Sequence, residues 1–149
     1  MIAFGPTEEQ ELIRQTVHEF AAGEMREIAR ACDEKHELPE ELLQKSWELG
    51  LVAGGIPESY GGGGIGRSPI TNALVLEELG WGDAPLAAAA MTPALFVQPI
   101  LDFGTDEQKQ AYLPLFTGSK FHAAPLALLE PGFTFDPGNV RTVAEPKGA

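Results

Sequence analysis

Apolar residues recur at three- and four-residue intervals over most of the first 120 positions, which predicts a helical architecture. A capping box opens the first helix, because Thr7 and Gln10 have the spacing at which each side chain binds the other residue's backbone amide. The pattern continues past Gly23 to Asp33, so we predict a second helix or a bent continuation there. The apolar face of the first helix consists of Leu12, Ile13, Val17, Phe20 and Ala21.

Proline and glycine mark the next two helices. A short helix lies between Pro39 and Gly50, because proline is tolerated in a first helical turn and glycine often follows the last turn. The pair at residues 68–69, Ser then Pro, begins another helix, and Gly80 is its expected end.

A long alanine-rich helix is predicted from Asp83 onward. Pro93 and Pro99 each remove one of its backbone hydrogen bonds and should kink it. Thr105 begins a final helix with a second capping box, and this helix should end or tighten at Pro114.

A glycine-rich loop covers residues 51–66, where regular helix is disfavoured. Gly61, Gly63 and Gly66 match the spacing of a dinucleotide-binding loop. Such a loop connects a strand to a helix, whereas this one lies between helices. The context favours a structural turn, with a phosphate-binding loop as the alternative.

The pattern changes after Gly118. Residues 121–129 form a short apolar run, and residues 130–132 form a turn. We interpret this region as the start of a β-domain, whose strands need partners for their backbone groups. The predicted fold is mainly α, with an up-and-down helical domain over residues 1–119 and the first strands of an incomplete β-domain over 120–149.

Composition excludes several classes of function. With 22 acidic residues against 10 Lys and Arg, the net charge is −12 and the pI is near 4.5. Nucleic acid and anionic membranes are therefore poor partners. The apolar stretches 85–91 and 95–101 are too short and too rich in Ala and Pro to span a bilayer, and no cationic leader precedes them. These features predict a soluble, cytoplasmic chain.

Few side chains suggest chemistry. A single Cys32 excludes an intramolecular disulfide, and three scattered histidines suggest no metal site. Glu77 and Glu78 point about 100° apart on a helix, so we interpret them as solvated or capping residues rather than a catalytic pair. His122 and Cys32 fit packed side chains better than reactive ones. The apolar residues Met91, Leu95 and Phe96 suit a pocket lining or an ordinary core.

Several short blocks follow one another along the chain: TEEQ (7–10), LGL (49–51), IPESYGG (56–62), VLEEL (75–79), FGTDEQK (103–109), YLP (112–114) and LEPG (129–132). In this order they resemble the acyl-CoA dehydrogenases over nearly the whole chain. Members of that family bind FAD and desaturate an acyl-CoA thioester between its α and β carbons, as part of fatty acid metabolism. The resemblance implies an N-terminal helical domain plus the opening of the middle β-domain.

The same resemblance implies site residues. Leu126 and Leu128 take positions whose backbone faces the flavin, and Leu129 stands where the family usually has Thr. Phe135 stands where Ser contributes to cofactor or substrate contacts. Met91 and Leu95 fall in the region that lines the acyl cavity, where each buried methylene is worth about 0.8 kcal/mol.

The family's catalytic base is a Glu from beyond the middle domain. We therefore place no catalytic residue in this chain and predict that it is not a competent dehydrogenase alone. The implied partners are an acyl-CoA substrate, homo- or hetero-oligomers with similar subunits, and an electron-transfer flavoprotein. Two alternatives remain. One is a non-catalytic scaffold or partner subunit, and the other is an acyl-CoA oxidase or flavin monooxygenase relative.

Overall fold

A computed structural model describes residues 5–127, 129–131 and 136–147 of the chain. These residues form six α-helices and no β-strand, which confirms the mainly helical architecture. The helices are α1 (Glu8–Phe20), α2 (Arg26–Lys35), α3 (Glu40–Glu48), α4 (Pro69–Gly82), α5 (Ala84–Phe103) and α6 (Asp106–Tyr112). Three 3-10 turns lie at Ala53–Gly55, Glu58–Tyr60 and Leu113–Phe116.

The first helix begins as its sequence predicts. The backbone amide of Gln10 donates to Thr7 Oγ1 (3.2 Å), and the Thr7 amide donates to Gln10 Oε1 (2.9 Å). A π-helical turn at Ala21–Met25 joins α1 to α2, so the chain continues through Gly23 rather than breaking. A Cβ added to Gly82 of α4 would lie 2.9 Å from the Ala21 Cβ, which shows how closely α4 approaches this turn.

Helix α4 extends two residues beyond its predicted end. A glycine stops a helix by adopting positive φ, and Gly50 does so after α3 (φ 70°). Gly80 does not, so the prediction that α4 ends there was wrong. Asp83 ends α4 instead and caps α5, where its Oδ1 accepts from the Leu86 amide (2.9 Å).

Helix α5 passes through both of its prolines without ending. The two apolar stretches that seemed too short therefore form one 20-residue helix. Among the described residues it is the one helix long and apolar enough to cross a membrane by length and composition. In this fold α5 packs against α3, α4 and α6. A core helix of a soluble domain passes the same test, so this feature is weak evidence for a membrane span.

Two apolar clusters make up the core, and α5 contributes to both. Met91 of α5 is half-buried and packs against each cluster. The first core cluster joins α1, the π turn, α3, α4 and α5 through Val17, Ala21, Met25, Leu42, Val75, Leu79, Leu86 and Ala87. The second core cluster joins α3, the glycine-rich loop, α5 and the turn after α6 through Trp47, Val52, Ile56, Val97, Leu113 and Phe116.

Candidate functional site

The structure gives the predicted acyl-lining residues different surroundings. Met91 fills space between the two core clusters, whereas Leu95, one turn further along α5, is 50% exposed. Ala88 lies two turns before Leu95 and is also exposed. No charged residue occurs between positions 84 and 101. Helix α5 therefore presents an uncharged outward face, which we call the α5 face and define by Ala88 and Leu95.

Phe96 belongs to the core. Its ring meets that of Tyr112 edge-on at 5.8 Å and lies tilted against Phe116 at 5.4 Å. Aromatic pairs of this geometry add stability beyond the area they bury. Of the three apolar residues that suit either a pocket or a core, Leu95 alone offers a largely exposed side chain.

Helix α3 anchors the segment that follows the helical domain. Trp47 Nε1 donates to the Gly118 carbonyl (2.8 Å), and Gln44 Nε2 donates to the Ser119 carbonyl (2.8 Å). The Phe121 amide donates to Gln44 Oε1 (3.0 Å), and the Phe121 ring meets the Trp47 indole edge-on at 5.7 Å. One α3 amide side chain thus holds two backbone groups, fixing where the segment after residue 118 leaves the domain.

Replacing Gln44 with alanine should detach this segment locally. We expect a loss of about 1 kcal/mol in the free energy of unfolding and faster hydrogen exchange at the Phe121 amide, because both backbone groups lose their partner. The control is Gln15→Ala on α1, whose side chain donates to Glu19 one turn away. Equal exchange at Phe121 in the two variants would contradict the anchoring role.

Residues 121–127 form neither helix nor strand. The strand predicted over 121–129 is thus not formed by the described residues, because a strand needs a neighbour and the described part of the chain supplies none. Leu126 is 45% exposed and Leu129 is 82% exposed. Leu128 and Phe135, the other two predicted contact positions in this region, lie outside the described residues.

This segment fits one part of FAD. Backbone amides can donate to the polar edge of a flat ring, and no described residue accepts from the amides of Ala124, Leu126 and Ala127. The leucine side chains add apolar contact. Residues 121–127 contain no Lys or Arg, so this segment supplies no cation for the pyrophosphate.

His122 and Cys32 each contact an apolar part of the helical domain, but of the two Cys32 alone is partly buried. His122 is exposed, and its ring lies edge-on to Phe116 at 5.2 Å. Cys32 is half-buried on α2 and packs against the first core cluster.

The backbone amides of the glycine-rich loop donate to carbonyl groups of the same loop. Those of Gly63, Gly64 and Ile65 donate to the carbonyls of Ala53, Ile56 and Gly54 at 2.9–3.0 Å, and Gly61 and Gly62 donate to Glu58 and Pro57. A phosphate cradle requires free amides that point at the anion. The structural interpretation is confirmed, and the phosphate-binding alternative is wrong for these five amides.

The sequence interpretation missed a buried carboxylate at Glu78. We interpreted it as solvated or capping, yet its side chain is only 11% exposed and lies between α1 and α4. Glu78 Oε1 accepts from Arg14 Nη1 (2.9 Å), and Oε2 lies 2.7 Å from His18 Nδ1. The hydrogen bond from His18, followed by that from Arg14, lowers the pKa of Glu78.

A stacked ring extends this polar cluster. The His18 ring stacks on the Trp81 indole at 4.5 Å, and the Arg26 guanidinium lies 4.4 Å from the same indole's centroid. Arg26 also donates to the Trp81 carbonyl (3.0 Å). The four-residue spacing of Arg14 and His18 on α1 was the available signal, because such residues share one helix face. The cluster joins helices, and we assign it no substrate contact.

Residues 7–119 match the family model described as "Acyl-CoA dehydrogenase, N-terminal domain". The bovine mitochondrial short-chain specific acyl-CoA dehydrogenase is 36% identical over 143 residues, which cover 95% of this chain and 34% of that protein. The solved butyryl-CoA dehydrogenase of Megasphaera elsdenii superposes with a TM-score of 0.76 at 29% identity. The match covers 92% of this chain and 36% of the butyryl-CoA dehydrogenase chain.

A second solved chain superposes with a TM-score of 0.78 at 30% identity, again over 92% of this chain and 36% of its own. It comes from work on the electron transferring flavoprotein of Acidaminococcus fermentans and flavin-based electron bifurcation. The present chain spans about a third of the length of these relatives.

Proposed function

The chain belongs to the acyl-CoA dehydrogenase family, and from that we propose that it is the N-terminal part of an FAD-dependent enzyme that desaturates an acyl-CoA thioester. We propose that polypeptide beyond these residues completes the site and supplies the catalytic base. The observation that carries the proposal is the family match over residues 7–119, together with the uncharged α5 face on that domain.

The α5 face has the chemistry that an aliphatic acyl chain requires. Leu95 offers an exposed apolar side chain, and Met91 supports the helix from within the core. Contact with an acyl chain would remove apolar surface from water on both partners, which favours binding. These residues would bind and orient the substrate and exclude water, and they would carry no proton.

Leu126 and Leu129 are proposed to lie against the cofactor. The amides near Leu126 would bind the polar edge of the isoalloxazine ring, and the two side chains would pack beside it. When bound, FAD supplies the acceptor for the hydride that leaves the β-carbon. Because residues 121–127 carry no cation, we propose that other polypeptide binds the pyrophosphate.

The proposed substrate and partners follow from the family. We propose an acyl-CoA substrate and an oligomer of acyl-CoA dehydrogenase-like subunits. A cytoplasmic location is proposed from the composition of the chain rather than from the family. An electron-transfer flavoprotein is the proposed electron acceptor, supported by the likeness to a chain from work on such a flavoprotein.

The test is the visible spectrum of the native assembly that contains this chain, purified without added cofactor. We expect the two bands of an oxidised flavin, and an acyl-CoA should bleach the long-wavelength band. If flavin bands are absent even after FAD is added, the enzyme proposal fails.

A pair of arginine substitutions tests the substrate face. Leu95→Arg should raise the acyl-CoA concentration needed for half-maximal bleaching by about tenfold. Burying a leucine is worth about 1.5–3 kcal/mol, and the new charge must also be desolvated. Leu12→Arg is the matched control, since Leu12 is 65% exposed on α1. Equal bleaching by the two variants would remove α5 from the acyl site.

A second candidate function is a non-catalytic scaffold that binds a partner subunit. Leu129 favours it, because an exposed leucine stands where the resemblance expects the Thr hydroxyl. Leu129→Thr should then leave partner affinity unchanged, and a large gain in activity would count against the scaffold. Oxygen consumption without an added electron acceptor would instead indicate the oxidase or monooxygenase alternative.

A further inference from the structure

Glu130 makes a concentrated set of hydrogen bonds beyond the helical domain. Its carboxylate accepts from the backbone amides of Arg141 (2.9 Å) and Thr142 (2.6 Å), and from the Thr142 hydroxyl (2.5 Å). The Arg141 amide also lies 3.0 Å from the second carboxylate oxygen. One side chain thus binds two successive amides that lie 11 and 12 residues further along the chain.

Residues 136–139, which precede these amides, form local hydrogen bonds of their own. Asp136 Oδ1 accepts from the Gly138 amide (2.9 Å), and the Asp136 carbonyl accepts from the Asn139 amide (3.0 Å). This turn lies directly before the two amides that Glu130 binds. The Glu130 contact is therefore the tie between residues 129–131 and residues 136–142, in a region where the described residues form no β-ladder.

The chemistry of this contact depends on charge. A carboxylate that accepts several hydrogen bonds binds them about twice as strongly as a neutral group does. The Thr142 hydroxyl first, then the two backbone amides, lower the pKa of Glu130. Of the two residues that donate to the carboxylate, Arg141 has a charged side chain and Thr142 a neutral one.

We propose that Glu130 is a positioning residue: its hydrogen bonds to the Arg141 and Thr142 amides, which we call the Glu130 clasp, fix the position of the adjoining Leu129 backbone beside the flavin. This inference rests on the proposed function. Glu130 would act without touching the cofactor itself. It would act through the backbone of Leu129, the residue directly before it in the chain.

Glu130→Gln and Glu130→Ala in the native assembly test the clasp directly. Millisecond hydrogen exchange, corrected for its intrinsic pH dependence, should become about tenfold faster at Arg141 and Thr142 in Glu130→Ala. Glu130→Gln should fall between Glu130→Ala and the original protein, because an amide oxygen still accepts one bond. Glu145→Gln, in the same exposed segment, is the control and should change nothing. Unchanged exchange in Glu130→Ala would overturn the clasp.

Flavin affinity tests the positioning role separately. The apparent Kd for FAD should rise several-fold in Glu130→Gln. In the unsubstituted protein it should also rise as acid protonates Glu130, and this pH dependence should be absent from Glu130→Gln. Faster exchange with unchanged FAD affinity would overturn the positioning role and leave the clasp standing. A native assembly that binds no FAD would refute the proposed function and the positioning role with it, while the exchange data would still decide the clasp.

Discussion

Replacing Gly62 with alanine is expected to lower the free energy of unfolding by about 3 kcal/mol, at the upper end of the usual cost of overpacking. A Cβ at this position would lie 2.1 Å from the Ile56 carbonyl oxygen and 2.6 Å from its carbonyl carbon. These are backbone atoms, so they have no rotamer by which to move aside. Ile56 is fully buried in the second core cluster, which prevents the backbone from shifting outward.

Gly66→Ala provides the matched control for this substitution. A Cβ there meets nothing within 4 Å, and its φ is outside the left-handed region, so we expect a change within about 0.5 kcal/mol. Urea unfolding of both variants measures the difference. Similar midpoints would mean that the loop is not packed as described. The second core cluster would then not depend on the glycines of the loop.

Local sequence signals predicted the helix beginnings well. The two capping boxes, at Thr7 and Thr105, form with the expected bonds, because a cap is decided by residues three positions apart. Helix ends were harder to predict. Gly80 has the residue type of a helix stop, but whether a glycine adopts positive φ depends on the residues after it, and Asp83 caps the next helix instead.

Long-range pairing limited the prediction of the site. No pattern near Glu78 itself indicates its burial, because its partners come from α1, about 60 positions earlier in the chain. The path of residues 118–121 depends on Gln44 and Trp47, which no local pattern connects to that segment. The resemblance to the acyl-CoA dehydrogenases indicated Leu95, and its contact with a substrate stays a prediction.

Glu78→Gln is expected to destabilise the contact between α1 and α4 by about 2 kcal/mol, the range for hydrogen bonds to charged groups. Glutamine keeps the shape of the side chain but loses the charge that binds both Arg14 and His18. It must also place an NH₂ group against one of those donors. Because Arg14 and His18 are 39% and 45% exposed, water would hydrate them partly and prevent a larger loss.

The pH dependence separates charge from shape. The pKa of Glu78 is lower in the folded than in the unfolded protein, so its stabilisation is fully present above the unfolded value of about 4.3 and disappears as pH falls through the folded value. The unfolding free energies of the original protein and Glu78→Gln should therefore differ most at neutral pH and converge in acid. Glu77→Gln, on the exposed side of the same helix, should follow the original protein throughout. A gap between Glu78→Gln and the original protein that stays constant from pH 7 to about pH 3 would show that side-chain shape, rather than charge, joins the two helices.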